Sequence, residues 1–408
     1  MDASRPRAPH PSPPHRSPAP AERPAEAPVG EHRSGPGAEA VQALLREAGV
    51  RLGGDRPWDL RVYDPRFYRR ALAGGSLAFG ESYMDGWWDC EALDECVARL
   101  MSAQLDQAVR SWGMLWRVAR AKLMNLQRQA RAHEVGEHHY DRGNDLFEAM
   151  LDERMIYSCG YWHRADTLEE AQEAKLDLVC RKLGIEAGDR VLDIGCGWGG
   201  FLKYATEEYG AEGVGLTVSQ EQARLARERC AGLPVAIRLQ DYRELDGESF
   251  RDSFDHAASL GMIEHVGPKN YATYFDTVRR CLNEGGLFLV ETVGAKRSTA
   301  TTDPWTEKYI FPNGSSPSAK QLTTALEERF VIEDWHNFGP DYDRTLMAWH
   351  ERFAAHWDAL SGRYDERFRR MWRYYLLSSA GSFRARHNQN WQLVLSPLGT
   401  RGGYRSVR

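Results

Sequence analysis

The sequence lacks the patterns typical of a disulfide-rich, zinc-binding or membrane-spanning protein. Its seven cysteines form an odd set without a CxxC pair, which argues against disulfides and a metal site and favours a reducing compartment. It has no apolar run of about 18 residues and no signal-peptide pattern. The formal net charge of −5 gives no overall attraction to nucleic acid. We therefore expect a cytoplasmic protein with no metal and no nucleic-acid partner.

The glycine-rich segment Val191–Gly200, with the sequence VLDIGCGWGG, lacks two common signatures of nucleotide sites. It has neither the Lys-Ser/Thr ending of a phosphate-binding P-loop nor the G-x-G-x-x-G spacing of dinucleotide sites. Its apolar residues predict a buried strand, and its glycines predict a turn at which the backbone can approach a ligand closely. The D-x-G-x-G pattern is typical of methyltransferases that use S-adenosylmethionine (SAM). A glycine turn without a ligand is the alternative.

Strand patterns alternate with helical patterns after this turn. The strands are expected at residues 213–216, 235–239, 256–260 and 287–290, with a last one at 391–395. This alternation predicts a mostly parallel α/β sheet. Ligands of such sheets bind beyond the carboxyl ends of the strands.

Composition divides the chain into three expected parts. More than half of the 19 prolines lie in residues 1–38, which we interpret as a disordered tail. Residues 39–133 are expected to form a small mixed α/β domain. Residues 134–408 are expected to form the catalytic domain with a C-terminal helical cap.

One stretch carries positive charge only. Between Gln107 and His133 there are six basic residues and no acidic residue, interleaved with apolar side chains that include Trp112 and Trp116. This is the pattern of a basic amphipathic helix that lies on an anionic membrane. An ordinary helix with a solvated basic face is the alternative.

Several further motifs resemble those of the cyclopropane-fatty-acyl-phospholipid synthases. They are HYDRGNDLF from His139, YSCGYW from Tyr157, GLTVSQEQ from Gly215, LQDYRELDG from Leu239, MIEHVGPKNY from Met262, DPWTEKYIFPNG from Asp303, DWHNFGPDYDRTLMAWHERF from Asp334 and FRAR from Phe383. With VLDIGCGWGG and ESYMDGWW they cover the chain from about Val41 onward.

The resemblance implies a class I SAM-dependent methyltransferase fold, which is Rossmann-like, and a lipid-docking role for the N-terminal domain. It also implies transfer of a methylene group from SAM to the cis double bond of an unsaturated phospholipid acyl chain. The enzyme would associate peripherally with the inner face of an anionic membrane, as a homodimer. In this context the membrane interpretation of the basic stretch is favoured.

The resemblance assigns the SAM site position by position. The implied cofactor-binding residues are Tyr157, Ser158, Asp193, Gly195, Gly197, Gly199, Thr217, Gln222, Asp241 and Tyr242.

The resemblance also implies a bound bicarbonate that removes the proton whose loss closes the ring. Its site corresponds to Cys159, Glu264, Glu291, Val293 and Tyr342. Glu291 departs from the family pattern, in which a histidine stands at this position. An ionised carboxylate would repel both bicarbonate and Glu264.

Three interpretations of Glu291 stay open. Protonated Glu291 donates a hydrogen bond to bicarbonate, or Glu291 is itself the base and bicarbonate is absent, or the chemistry is altered to give a methylene- or methyl-branched chain. Two more distant alternatives are a non-catalytic lipid- or SAM-binding relative and a small unsaturated metabolite as acceptor. The presence of Cys159, Glu264 and Tyr342 argues against the first, and the N-terminal domain argues against the second.

Overall fold

The computed structural model describes residues 37–105, 143–245 and 250–408. Two predictions fall outside these ranges, namely the disordered tail up to residue 36 and the basic stretch between Gln107 and His133. The domain boundary after residue 133 lies there as well. The division into two domains therefore stays a prediction.

The described strands form a central sheet of seven and a separate antiparallel pair. They are β1 (Arg61–Val62), β2 (Trp88–Asp89), β3 (Arg190–Ile194), β4 (Glu212–Thr217), β5 (Val235–Leu239), β6 (Phe254–Leu260), β7 (Leu282–Ala295), β8 (Val331–Asn337) and β9 (Asn388–Ser396). The large sheet has the order β5-β4-β3-β6-β7-β9-β8. Strands β3 to β7 pair in parallel, whereas β9 is antiparallel to both β7 and β8. The predicted mostly parallel α/β sheet is confirmed.

Helices lie between the strands and over the C-terminal part of the sheet. They are α1 (Ala38–Glu47), α2 (Arg66–Met84), α3 (Leu93–Ser102), α4 (Asn144–Met150), α5 (Leu168–Leu183), α6 (Gly200–Tyr209), α7 (Gln220–Arg229), α8 (Ile263–Val266), α9 (Tyr271–Cys281), α10 (Pro304–Tyr309), α11 (Ala319–Leu326), α12 (Gly339–Ala355), α13 (Trp357–Leu360) and α14 (Glu366–Arg384). No helix within the described ranges combines the length and apolar character needed to cross a bilayer.

Helix α5 delivers the chain into β3, the first strand of the large sheet. It begins with a capping box, in which the Thr167 side chain accepts from the backbone N–H of Glu170 while the Glu170 carboxylate accepts from the backbone N–H of Thr167. It ends at Gly184 in the left-handed conformation, with φ 69°. These two signals fix where α5 begins and ends. The helix packs against β7, which brings its buried face to the site described below.

Helix α2 runs through a kink at Gly75, whose φ of 57° only glycine adopts freely. Two strands differ from what the sequence led us to expect. The strand expected at 287–290 extends to Ala295, because antiparallel pairing with β9 continues beyond the end of β6. Strand β8 was not expected, since only Asp334 of its residues is buried and its sequence shows no apolar alternation.

A continuous hydrophobic core joins the N-terminal helices to the cap. It includes Trp88 of β2, Trp305 of α10 and Trp372 of α14, all at most 2% exposed. Helix α14 approaches α3 so closely that a Cβ at Gly381 would lie 2.4 Å from the backbone oxygen of Asp94. The first helices therefore pack directly on the element that caps the sheet.

All seven cysteines lie in the described ranges, and each is buried with a free thiol. None of them forms a disulfide, as the sequence predicts. Within the described residues no group of three or more histidine, cysteine or acidic side chains is placed to hold a metal ion.

Candidate active site

The glycine turn after β3 forms the floor of a pocket at the carboxyl end of the sheet. Asp193 is 2% exposed near the end of the strand, and Gly195 and Gly197 follow with φ of 87° and 52°. A Cβ at Gly195 would lie 2.9 Å from the Met262 side chain. Glycine is required here both by the left-handed backbone and by the close approach of Met262, which follows the neighbouring strand β6.

Nine of the ten predicted cofactor residues line this one pocket. They are Tyr157, Ser158, Asp193, Gly195, Gly197, Thr217, Gln222, Asp241 and Tyr242. The tenth, Gly199, instead lies behind the wall as the N-cap of α6, where a Cβ would meet the Cys230 sulfur at 3.0 Å. Gly199 therefore shapes the turn without lining the pocket.

The polar side chains of the wall are held by one another. Thr217 Oγ1 donates to Gln222 Oε1 at 2.8 Å. Asp241 accepts from the backbone N–H of Arg243 at 2.9 Å and from its guanidinium at 2.8 Å. The wall therefore presents a preorganised row of polar groups from β4 and the end of β5.

The buried Lys175 of α5, which the sequence did not single out, also lines the pocket, as does His265 of α8. Lys175 is 0% exposed, and its Nζ donates to Ser158 Oγ at 2.8 Å. Burial lowers the pKa of Lys175, and nearby Glu291 and Asp152 oppose that effect. Burial in turn raises the pKa of Asp193 to about 7, while Lys175 acts in the opposite direction.

These residues fit SAM better than a phosphorylated nucleotide. The two cations of the wall, Lys175 and Arg243, are each hydrogen-bonded inside the protein, to Ser158 and Asp241. The pocket therefore offers carboxylates, hydroxyls and a glycine cradle, which suit a cationic sulfonium and its ribose, in place of a cluster of cations that would suit phosphates.

The predicted catalytic residues converge on a second, buried region beside this pocket. Glu264 of this cluster lies in the first turn of α8. Its Oε1 accepts a hydrogen bond from the backbone N–H of Val293 at 2.6 Å. Burial raises the pKa of Glu264 to about 7; the Val293 hydrogen bond opposes this, and the charge of Glu291 adds to it. Glu264 Oε2 has no hydrogen-bond partner within the described residues.

Glu291 lies within β7 and is 1% exposed. Its Oε2 accepts from Gln392 Nε2 of β9 at 2.7 Å. Burial raises its pKa, whereas Lys175, Gln392 and Lys182 all lower it. Asn390 also lies near enough to lower the pKa, but its Nδ2 and Glu291 Oε1 complete no hydrogen bond within the described residues.

Cys159 and Tyr342 complete the cluster. Burial, reinforced by the charge of Glu291, raises the pKa of the Cys159 thiol well above its usual range. Burial likewise raises the pKa of Tyr342, with further contributions from Tyr375, Cys159 and both glutamates. The thiol therefore remains protonated at neutral pH, which disfavours a nucleophilic role for it.

The sequence held a weak signal for the buried lysines. Gln172, Lys175, Val179 and Lys182 follow one face of α5 at spacings of three and four residues, among apolar residues that are buried. Long basic side chains on a helix are normally solvated, so the sequence alone favours an exposed position for them. The structure shows both lysines at 0% exposure.

Comparison with known proteins agrees with this geometry. The family model described as mycolic acid cyclopropane synthetase matches residues 127–393. The cyclopropane-fatty-acyl-phospholipid synthase of Escherichia coli strain K12 is 52% identical over 366 residues, which cover 90% of this chain and 94% of that protein.

Solved structures show the same similarity. The cyclopropane synthase MmaA2 from Mycobacterium tuberculosis is 29% identical with a TM-score of 0.60, covering 64% of this chain and 97% of its own. The mycolic acid cyclopropane synthase CmaA1 complexed with SAH and CTAB is 28% identical with a TM-score of 0.58, covering 64% and 97%. The chain therefore belongs to the mycolic acid cyclopropane synthetase family of SAM-dependent methyltransferases.

Proposed function

We propose that the protein transfers a methylene group from SAM to the cis double bond of an unsaturated phospholipid acyl chain and so forms a cyclopropane ring. One observation carries this proposal. The pocket that suits SAM adjoins a buried cluster in which Glu264 and Glu291 each keep one carboxylate oxygen without a partner among the described residues. Such a cluster can accept a proton in a site protected from water.

The cofactor would lie along the wall from Asp193 to Asp241, with the carboxylates and the Thr217–Gln222 pair binding its polar groups. SAM supplies an electrophilic methyl group, to which the π electrons of the alkene form a new carbon–carbon bond as the carbon–sulfur bond breaks. This leaves a positive charge on the other alkene carbon.

Aromatic side chains between the two regions would stabilise that developing charge. Tyr157 packs against Trp349, with ring centroids 5.1 Å apart, and its hydroxyl hydrogen-bonds that of Tyr375 at 2.8 Å. Tyr342 lies against Trp349 at a centroid distance of 6.0 Å. The negative faces of such rings attract a cation without reacting with it.

We assign the deprotonation step to Glu291. Its carboxylate takes a proton from the newly added methyl group, and the electron pair of that C–H bond closes the three-membered ring. Burial raises the pKa of this carboxyl group, so its carboxylate is a stronger base than an exposed one and accepts the proton with a greater driving force.

The described residues fit bicarbonate poorly. The backbone N–H of Val293, a donor that the resemblance assigns to this anion, is already bonded to Glu264. Glu291 stands where a neutral or cationic donor would be needed, and its charge opposes a second anion nearby. The proposal therefore uses no step that depends on bicarbonate.

The acceptor would reach the site from a membrane surface. The basic stretch between Gln107 and His133, which lies outside the described residues, is our proposed docking segment for anionic lipid. A homodimer and a location on the inner face of the membrane belong to the same proposal.

Fatty-acid methyl ester profiling of cells that express the chain tests this function. We expect a mass gain of one methylene unit, loss of the double bond and a cyclopropane proton signal. The same gain with a retained alkene would mean methyl transfer without ring closure. An unchanged profile, compared with cells that express the Glu264→Gln/Glu291→Gln variant, would contradict the proposal.

A further inference from the structure

Glu291 belongs to a row of side chains that crosses three strands. In the sheet register Glu291 of β7 stands opposite Gln392 of β9, and Gln392 stands opposite His336 of β8. Residues directly opposite one another in a sheet point to the same face. A line of polar groups therefore runs across one face of the sheet, from the candidate base toward the edge strand.

Lys182 of α5 covers this row. Its side chain is 0% exposed, and its Nζ lies 2.9 Å from Gln392 Oε1, 3.1 Å from His336 Nδ1 and 3.8 Å from Asp334 Oδ2. Gln392 itself is 0% exposed. Replacing a buried ion pair by apolar residues is often neutral or stabilising, so stability alone gives little reason for this lysine.

Burial lowers the pKa of Lys182 to about 7, and nearby Asp334 and Glu291 oppose that effect. In its protonated form, Lys182 fixes which way the Gln392 amide points. A protonated lysine can only donate hydrogen bonds, so the atom of Gln392 that faces it must be the oxygen. The amide nitrogen then faces Glu291 and donates to Oε2 at 2.7 Å. Glu291 Oε2 is thereby held as an acceptor, and only Oε1 is left to take up a proton.

We propose that Lys182 is a positioning residue for the ring-closing step, which acts through Gln392 to keep Glu291 ionised with Oε1 directed to proton uptake. This inference rests on the proposed function, since it assigns a device to the base of that reaction. Without Lys182 the amide can turn and present its oxygen to Glu291. That arrangement would favour a proton on Oε2 of Glu291, and the protonated carboxyl group could then no longer act as a base.

The charged groups around Lys182 and Glu291 determine what can shift the pKa of each. Lys182 faces Asp334 and His336 of β8, Gln392 of β9, and the more distant Arg408 and Glu291. Asp334 is held by Arg408 in a bidentate pair with N···O distances of 2.6 and 2.8 Å.

Glu291 faces a different set of groups. Lys175 and Lys182 favour its ionised form, whereas it shares the cluster with Glu264, Cys159 and Tyr342. The largest influences on Glu264 do not include Lys182. A change at Lys182 therefore reports on Glu291.

The test compares Lys182→Met with the purified full chain, using SAM and vesicles of an unsaturated phospholipid. We expect kcat to fall about tenfold or more, with the KM for SAM changed less than about twofold, because the affected step is proton transfer and not cofactor binding. The acid limb of the kcat profile should move to higher pH, since a cation that favours ionised Glu291 is lost. Gln392→Leu should act in the same direction, and the double variant should lose little more than either single one.

Arg181→Met is the matched control, because it removes a basic side chain from the neighbouring position of α5. The Arg181 side chain is 42% exposed and pairs with Asp177. This variant should leave kcat and the acid limb unchanged. Circular dichroism and the thermal midpoint identify any variant that fails to fold, and Lys182→Gln, which keeps a donor to Gln392, should then recover part of the activity.

The proposed role of Lys182 would be overturned if the unmodified protein is active and the Lys182→Met and Gln392→Leu variants keep its acid limb at the same pH, whether or not kcat falls. Failure of the proposed function gives a different result, because the unmodified protein would then yield no modified lipid at any pH.

Discussion

At the scale of single residues, our proposal assigns the last step of the reaction to Glu291. Its carboxyl group is buried in β7, and burial raises its pKa above the ordinary value of 4.5. A carboxylic acid with a raised pKa is protonated at low pH and becomes a base only as the pH rises through that value. The activity should therefore increase with pH along an acid limb that lies above the normal range of glutamate.

Replacement of Glu291 tests this role directly. Glu291→Gln should lower kcat by about 10²- to 10⁴-fold at pH values above the acid limb, the usual contribution of a general base, and by less below it. The unmodified protein should be indifferent to carbonate depletion, whereas Glu291→His, which supplies a donor for an anion, should depend on added carbonate. Strong carbonate dependence of the unmodified protein would exclude Glu291 as the base.

A second residue-scale prediction concerns Gly195 in the pocket floor. Gly195→Ala forces an L-residue to φ 87° and places a Cβ 2.9 Å from Met262, which should weaken SAM binding about tenfold or more by displacing the pocket wall. Isothermal titration calorimetry measures this. Gly188→Ala is the control, since Gly188 has a φ of 91° with nothing within 4 Å of its Cβ position. Equal loss of affinity in both variants would contradict the local explanation.

The residues that the sequence could not reveal are those whose role depends on tertiary contact. Asp193, Gly195 and Thr217 were predictable because a motif fixes their places at the ends of strands. Lys182 and Gln392 are joined by a hydrogen bond although they lie more than 200 residues apart in the sequence. Nothing local distinguishes a lysine buried by another strand from one that is solvated.

At the scale of elements, α5 joins the candidate cofactor pocket to Glu291, the proposed base. It carries Lys175 beside Ser158 and Lys182 beside Gln392, so its position determines both contacts. Its capping box at Thr167 and Glu170 anchors the first turn.

Removal of this cap should have a measurable cost. Thr167→Ala should lower the free energy of unfolding by about 1 kcal/mol, because one helix N–H loses its acceptor. Chemical denaturation measures the change. Thr323→Ala, at an exposed hydroxyl that bonds only to backbone oxygens inside α11, should change stability much less. A Thr167→Ala protein as stable as the parent would show that tertiary packing alone fixes α5.

The elements that the sequence predicted well are those with a regular apolar period. Most residues of β3 and β4 are buried, as are four of the seven in β6, and β5 keeps an apolar run although only its Ile237 is buried. Strand β8 is polar and lies at the edge of the sheet, and the far half of β7 is defined by its pairing with β9. Long-range pairing of this kind leaves no local periodicity to detect.

At the scale of the whole molecule, the net charge of −5 contrasts with the six basic residues between Gln107 and His133. A protein that acts on lipid while carrying net negative charge needs a local positive surface to approach an anionic bilayer. We expect binding to anionic vesicles that weakens steeply with salt, and little binding to zwitterionic ones.

Sedimentation with vesicles checks this expectation. Arg117→Gln/Arg120→Gln should reduce binding to anionic vesicles at low salt, while Arg224→Gln/Arg227→Gln, which removes two basic residues from α7, serves as a charge-matched control. Binding that is independent of salt, or equal loss in both double variants, would argue against docking by the basic stretch.

The burial of all seven thiols has a practical consequence for following this approach to the membrane. A maleimide dye should react slowly with the folded parent chain, because thiolates form reluctantly in apolar surroundings and reagents cannot reach them. A single cysteine introduced at an exposed position such as Leu398, which is 73% exposed, should therefore label rapidly and alone. The native chain thus serves as its own unreactive background, and the distance of any chosen surface position from a lipid bilayer becomes measurable by fluorescence without first removing a native cysteine.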